Sequence, residues 1–152
     1  MDHIFMALFI ILLTIHTYTD LKSMLLYDNV TFALAGVGLL RAIYLKQFSA
    51  AWQGAGALLI FMLLLYYLSR GGMGEGDVKL APALGLWLGL EQGLLCLLLA
   101  FVSGALAGGV LLLQGKSRCF ALPFGPFLCG GALVSFLVGE KIICWYWQFM
   151  LH

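Results

Sequence analysis

The sequence predicts an all-α membrane protein, a polytopic bundle of about six transmembrane helices. Apolar residues make up 63% of the 152 positions and charged residues only 10%, whereas soluble domains carry about 25% charged residues. Mean hydropathy is +1.04, and eight Lys and Arg nearly balance seven Asp and Glu. Too few polar side chains exist to cover a globule in water, and no basic field exists to bind nucleic acid. A soluble protein, a disordered chain and a nucleic-acid-binding protein are therefore excluded.

Three long runs without charged residues or histidine mark the clearest membrane spans. They are Gln47–Ser69, Gln92–Gly115 and Cys119–Gly139. Each reaches the roughly 20 apolar residues that a helix needs to cross about 30 Å of hydrocarbon. We expect one transmembrane helix from each run.

Three shorter apolar stretches complete the predicted bundle. Ile4–Thr19 is interrupted only by His16, and Val30–Leu45 only by Arg41, whose long side chain reaches towards a helix end. Leu80–Leu90 rises only about 16 Å as a helix, which is short of the bilayer. Six helices occupy most of the chain, so we expect one transmembrane domain over residues 1–152.

The N-terminal segment and the cysteines carry no targeting or metal signal. Met1–His3 lacks a positive n-region and no cleavage site follows, so the first apolar stretch is expected to be a retained helix. The four cysteines form no CxxC pair, and we expect small apolar fillers rather than zinc ligands or disulfides. They are Cys96, Cys119, Cys129 and Cys144.

Basic residues favour one orientation in the membrane. The loops after the first, third and fifth helices contain Lys22, Arg70, Lys79, Lys116 and Arg118. The opposite side has Arg41, Lys46 and Lys141. Because cytoplasmic loops carry an excess of Lys and Arg, these loops are expected in the cytoplasm and both termini outside.

Glycines recur at four-residue spacing in the second half of the chain. The two series are Gly85, Gly89 and Gly93, and Gly104 and Gly108. Small residues at this spacing let helix backbones approach closely in lipid. We expect tight helix packing there and no chemistry.

Carboxylates are the main functional candidates, because placing a carboxylate near hydrocarbon costs free energy and such residues usually have a function. Three fall at outer helix boundaries or turns, where we expect solvation: Asp2, Glu91 and Glu140. Four fall in the first two cytoplasmic loops: Asp20, Asp28, Glu75 and Asp77. An N-cap role explains Asp28, and Glu75 is explained as a solvated loop residue.

Asp77 follows the glycine-rich segment Gly71–Gly76, just before the short fourth helix. Glycines allow another chain to approach the backbone closely, and the short helix draws its flanking residues to membrane depth. Non-helical backbone at that depth is tolerated only inside protein or beside a water-filled cavity. Asp77 therefore lies in such a cavity or is an N-cap residue, and the residues alone leave both open.

Three segments resemble those of type IV prepilin peptidases, a family of intramembrane aspartyl proteases. Gly72–Leu80 contains Gly74-Glu75-Gly76-Asp77 and closely resembles the family's GxGD signature. Asp20–Asn29 is similar to the first motif, in which an Asp ends helix 1 and an isoleucine-proline-asparagine element follows. Pro123–Phe127 resembles the late proline-glycine-proline element. The three occur in the family's order from the first helix to the sixth.

The resemblance implies the GxGD aspartyl protease fold and an aspartic endopeptidase whose catalytic dyad is Asp20 and Asp77. One Asp would activate a water and the other would protonate or polarise the scissile carbonyl, without a metal or cofactor. The implied partners are membrane lipid and prepilins or pseudopilins, whose basic leader is cut at the cytoplasmic face while their apolar helix stays in the bilayer. Expected substrate-binding or loop-shaping residues are Gly74, Glu75, Gly76, Lys79, Pro123, Gly125 and Pro126; of these, Glu75 and Lys79 are candidates for contacts with leader charges.

Two departures and one absence qualify the resemblance. Tyr27 replaces the usual proline of the first motif, which affects the expected shape of the turn. Pro82 lies early in the predicted fourth helix, which is then expected to begin near Pro82 and to leave Asp77 non-helical. Only 19 residues precede Asp20, and they hold no CxxC pairs of the kind associated with N-methylation. We expect a peptidase without methyl transfer.

Two other function classes remain as alternatives. Asp20, Asp77, His16 and Arg41 also suit a proton-coupled transporter or small channel, in which buried carboxylates relay protons. Such proteins show internal repeats, and the two Asp motifs differ in composition and position. A structural membrane subunit would leave the GxGD segment and the late proline-glycine-proline element unexplained.

Overall fold

Five α-helices account for almost all of the described chain. The computed structural model describes residues 2–69, 72–115 and 123–150. The helices are α1 (Asp2–Ser23), α2 (Asp28–Tyr44), α3 (Phe48–Leu68), α4 (Glu75–Leu113) and α5 (Gly125–Met150). No β-strand occurs within these ranges, so the predicted all-α class is confirmed.

The helices have the length and composition of a multi-pass membrane protein. Among the described residues, α1, α3, α4 and α5 are long and apolar enough to cross a membrane. The remaining helix, α2, has 17 residues and would span about 26 Å. Among the described residues there are thus five helical elements, of which four are candidate spans, whereas about six transmembrane helices were expected.

The difference in number arises at Gly89, inside the 39-residue α4. Before Gly89, α4 runs antiparallel to α3, since Tyr66 bonds Glu75 and Gly54 faces Gly85. After Gly89, α4 runs parallel to α3, since Phe61 contacts Phe101. Gly89 has φ 70° and ψ −168°, and the chain reverses there. The turn that was expected at Glu91 is thus made by the single residue Gly89. The fourth and fifth predicted helices are the two parts of α4 on either side of it.

The start of α4 corrects a second expectation. The helix begins at Glu75 with Gly74 as N-cap, so Asp77 is helical and Pro82 is inside the helix. Asp77 is therefore neither an N-cap residue nor part of a non-helical segment. Acidic residues in a first turn interact favourably with the unpaired N–H groups there, which favours this earlier start.

The last helix also differs in its bounds from the predicted span Cys119–Gly139. In the structure α5 runs from Gly125 to Met150 and includes Glu140 and Lys141, both exposed. Positions 116–122 lie outside the described residues, and with them the expectations for Lys116, Arg118 and Cys119; Arg70 also lies outside. Cys96 and Cys129 are buried free thiols, whereas Cys144 is exposed.

Trp87 of α4 joins the helices at the centre of the core. Its indole N–H donates to the Leu34 carbonyl of α2 at 2.8 Å, and its ring lies 4.6 Å from that of Phe9 of α1. Arg41 donates to the Trp87 carbonyl at 3.0 Å and stacks on Phe136 of α5. The arginine of α2 is thereby held inside the bundle.

The glycine series contribute to packing at some positions only. A Cβ on Gly85 would lie 2.6 Å from the backbone of α3, and one on Gly93 2.8 Å from Leu58. Gly104 packs against Phe124. A Cβ on Gly108 would meet nothing within 4 Å among the described residues, so the expectation of close packing was wrong there. Gly89 forms the reversal and also lies tightly against α3, since a Cβ on Gly54 would lie 2.5 Å from the Gly89 carbonyl carbon.

We predict that Gly89→Ala lowers the thermal unfolding midpoint of the purified protein in detergent. Any L residue at φ 70° and ψ −168° is strained, at a cost of about 1–3 kcal/mol. Gly109→Ala is the matched control, because that glycine lies in the same helix and a Cβ there meets nothing within 4 Å. Equal midpoints for the two variants would contradict the assignment of the reversal to Gly89.

Candidate active site

One cavity lies where the last turn of α1 meets the first turns of α4 and α5. It has a volume of about 520 Å³, and both Asp20 and Asp77 line it. The connection between α1 and α2, the segment before α4 and Pro123 and Phe124 complete the wall. The structure thus brings together two carboxylates that lie 57 positions apart in the sequence (77 − 20).

Asp20 is held by the first residue of α5. Its side chain lies in the last turn of α1, the residue is only 5% exposed, and Oδ2 accepts the Gly125 N–H at 2.9 Å. The first N–H groups of a helix have no partner within the helix, so they are suitable donors to a carboxylate. A Cβ on Gly125 would lie 2.5 Å from the same Oδ2. Glycine at this position lets the amide and the carboxylate meet.

Asp77 is the third residue of α4 and is only 6% exposed. Asp20 lines the same cavity as Asp77. A Cβ on Gly74 would lie 3.2 Å from Asp77 Oδ2, which is tighter than an ordinary contact. Two carboxylates that face one cavity disfavour each other's ionisation, so a state with one negative charge is easier to reach than a state with two.

Gly76 lines the cavity, and Tyr27 lies in the chain between the lining residues Leu26 and Asp28. A Cβ on Gly76 would lie 2.9 Å from the Leu26 side chain, so this glycine lets α4 pack against the α1–α2 connection. Tyr27 is the N-cap of α2 with φ −73° and ψ 120°. Proline has φ near −65°. Tyr27 therefore adopts the conformation that the family's proline would impose.

Charged residues form the rim of the cavity. Asp28 is the first residue of α2, not its N-cap as expected, and its carboxylate bonds Lys79 at 2.8 Å. Both side chains are about half exposed. Glu75 is the first residue of α4, not a loop residue, and accepts the Tyr66 hydroxyl at 3.3 Å.

The late element contributes unequally to the cavity. Pro123 lines it, whereas Pro126 is the second residue of α5 and does not. Proline is well tolerated in a first helical turn, because the N–H that it lacks has no partner there. Pro126 accordingly supports the helix whose first amide holds Asp20.

Several cavity residues were missed by sequence reasoning. Met24 and Leu26 line the wall, and Met24 has φ 52°, a left-handed conformation just after α1. No sequence signal marks Met24, because this conformation favours glycine or asparagine. Cys129, one turn after Gly125 on α5, is 3% exposed and lies outside the cavity wall.

Of the other two groups expected of a proton transporter, His16 and Arg41, neither lines the cavity that holds Asp20 and Asp77. His16 lies one turn before Asp20 on α1 and is fully buried. Neither of its ring nitrogens has a hydrogen-bond partner among the described residues, although the backbone of Val30 lies close by. Arg41 is bound to the Trp87 carbonyl instead. Within the described ranges no group of three or more His, Cys, Asp or Glu side chains is placed to hold a metal.

The chain belongs to the type IV leader peptidase family. The family's model matches residues 7–109, which include both aspartates, the GxGD segment and the Gly89 reversal. The sequence-based recognition of the family is confirmed.

Its relatives include three proteins named prepilin leader peptidase/N-methyltransferase. The one from Legionella pneumophila is 38% identical over 137 residues, covering 85% of this chain and 48% of the relative. The one from Aeromonas hydrophila is 36% identical over 138 residues, covering 86% of this chain and 48% of the relative. The one from Bacillus subtilis is 32% identical over 143 residues, covering 92% and 58%. The chain thus spans about half the length of these relatives, and no solved structure matches it.

We predict that Asp28→Lys and Lys79→Asp each lower the thermal midpoint slightly and that the double variant recovers the loss. Each single change places two like charges together at the rim, whereas the double change restores the pair with reversed polarity. The effect is small because both side chains are half exposed. Additive losses in the double variant would show that the pair does not connect α2 to α4.

Proposed function

We propose that this chain is an aspartyl endopeptidase that cleaves the basic leader from prepilins or pseudopilins at the cytoplasmic membrane face. One observation supports this above all others: two buried carboxylates from helices far apart in sequence line one cavity at an end of the membrane helices. Membership of a leader peptidase family and the printed names of the relatives agree with it. Asp20 and Asp77 are the proposed dyad.

The proposed reaction is an attack by water on the peptide bond, without a covalent bond between the enzyme and the substrate. The ionised carboxylate takes a proton from a water, and the resulting hydroxide attacks the scissile carbonyl carbon. The protonated carboxyl donates its proton to the carbonyl oxygen, which gives a gem-diol. The carboxyl that took the proton from water then donates it to the leaving amine, while the other carboxylate takes a proton from the gem-diol. The C–N bond breaks, and both carboxyl groups return to their starting states. The Gly125 N–H stabilises negative charge on Asp20 Oδ2 and fixes that oxygen during the cycle.

The proposed orientation puts the dyad end of the bundle in the cytoplasm. Cytoplasmic segments carry an excess of Lys and Arg, and the basic residues assigned to the loops after the first, third and fifth predicted helices favour this side. Asp20 lies in the last turn of α1 and bonds the first residue of α5. The start of α1 and the end of α5 then lie on the outer side.

Charge at the rim suits a basic leader. Glu75 is exposed beside the cavity, and Asp28 lies across from it with Lys79 as its partner. We propose that Glu75 attracts basic leader residues and that Lys79 mainly holds Asp28. Gly74, Gly76 and Pro123 would shape the path of the extended substrate past Asp77. We propose peptide cleavage without N-methylation, because these 152 residues contain no CxxC pair of the kind associated with methyl transfer, although the relatives' printed names include N-methyltransferase.

We predict that Asp20→Asn and Asp77→Asn each abolish leader cleavage. Acid–base groups of this kind contribute on the order of 10²–10⁴-fold to rate, and neither amide can accept or donate the proton as required. A prepilin with a basic leader and a glycine-phenylalanine junction is co-expressed in membranes, and the product is followed by gel shift and N-terminal sequencing. Glu140→Gln is the control, an exposed carboxylate on α5 that does not line the cavity.

Two outcomes would contradict this proposal in different ways. Full cleavage by Asp20→Asn would remove Asp20 from the dyad and make Asp28 the next residue to test. Intact prepilins and pseudopilins beside a folded wild-type protein would contradict the peptidase itself and favour proton transport.

We predict that Gly125→Ala lowers the cleavage rate by roughly tenfold to a hundredfold. The new Cβ would meet Asp20 Oδ2 at 2.5 Å, so the carboxylate must move away from the amide that holds it. Gly130→Ala on the same helix has no neighbour within 4 Å and serves as the matched control. Wild-type rates for Gly125→Ala would show that the amide does not position Asp20.

A further inference from the structure

A second cavity of about 230 Å³ lies between α2, α3 and α4. Its surface is almost entirely apolar, in contrast to the dyad cavity. Asp28 and Lys79 line both cavities, so the ion pair lies where the two adjoin. Phe32 and Trp52 border the second cavity and are 71% and 53% exposed, which indicates that it faces lipid. We call this second cavity the apolar groove.

The walls of the apolar groove are two regular helix stripes. On α2 the lining residues are Asp28, Thr31, Phe32 and Ala35. On α4 they are Lys79, Pro82, Ala83 and Leu86. Both sets have the spacing i, i+3, i+4, i+7, which is one face of a helix over two turns, or about 10 Å. The groove therefore extends from the ion pair into the membrane.

Small side chains line the inner wall of the groove. Ala83 is 3% exposed and Ala55 of α3 is 7% exposed, and Ala35 lies beside them. In lipid, helices associate by close packing at small residues, because no hydrophobic force drives them together. Such a wall can accept another helix or apolar segment at short distance.

We infer that the apolar groove seats the first two turns of the substrate's membrane segment, directly after the scissile bond. The inference rests on the proposed function. It is supported by the continuity of the groove with the dyad cavity at Asp28 and Lys79. Since α2 and α4 both start at the dyad and run away from it, a chain leaving the dyad over the ion pair enters the groove in their direction. A lipid chain would find an apolar surface elsewhere and gains nothing from this continuity.

The test compares a long and a short substrate. The long one is a complete prepilin, and the short one is a peptide that covers the leader and ends a few residues after the junction. Ala35→Phe fills the groove, whereas Ala33→Phe adds the same side chain at an exposed position of α2 outside the groove. We expect the ratio of long to short cleavage rates to fall roughly tenfold or more for Ala35→Phe and to stay at the wild-type value for Ala33→Phe.

The outcomes separate this inference from the proposed function. If wild type cleaves both substrates and Ala35→Phe leaves the rate ratio unchanged, the groove does not seat the membrane segment. The proposed peptidase activity would not be affected by that result. Wild type that cleaves neither substrate would contradict the proposed function itself.

A crosslinking measurement covers the case in which Ala35→Phe fails to fold. A benzophenone amino acid is introduced at Phe32, beside the groove, in the Asp77→Asn background so that the prepilin is retained. The control position is Leu98, which is 60% exposed and lies outside the groove. Crosslinks to the apolar segment of the prepilin from position 32 but not from 98 support the inference. Crosslinks to lipid alone, or equal crosslinks from both positions, overturn it.

Discussion

The hydrogen bond from the Gly125 amide to Asp20 is the interaction on which the site depends. It joins the last turn of α1 to the first turn of α5, across 105 positions of sequence. A carboxylate that is only 5% exposed needs such a donor, because burial removes most of its contact with water. The amide can approach only because residue 125 has no Cβ. One glycine thus holds Asp20 and sets where α5 begins beside α1.

The second constraint is the reversal at Gly89, which makes α4 serve two positions in the bundle. Its first half carries Asp77, Trp87 and one wall of the apolar groove. Its second half returns along α3 towards the dyad, where Gly104 packs against Phe124. A straight helix of 39 residues would extend about 58 Å, far beyond a bilayer. The reversal allows the two helical segments of α4 to hold Asp77 and to support the segment that leads to Gly125.

Polar and apolar functions lie side by side at the start of α2 and α4. The dyad cavity contains the carboxylates, and the apolar groove continues from it between the same two helices. The Asp28–Lys79 pair lies between them and connects the helices at their first turns. The proposed cleavage next to a membrane-embedded segment would need a polar and an apolar environment side by side. The lining residues of α2 and α4 provide both environments along two short helix faces.

The sequence by itself determined the class of the protein, because composition and charge-free runs depend only on how each residue partitions between water and lipid. The GxGD segment and Asp20 were likewise identifiable, since a carboxylate near hydrocarbon is rare enough to stand out from the chain around it. The tertiary structure decided the rest. That Gly89 reverses a helix while Gly93 packs against Leu58 follows from neighbours distant in sequence, although both glycines belong to one regular series. That Tyr27 adopts the backbone of a proline, that Asp28 pairs with Lys79 and that Gly125 holds Asp20 depend on which helix ends meet in space. Local propensity carries no information on those meetings, because they are set by packing between segments that are far apart along the chain.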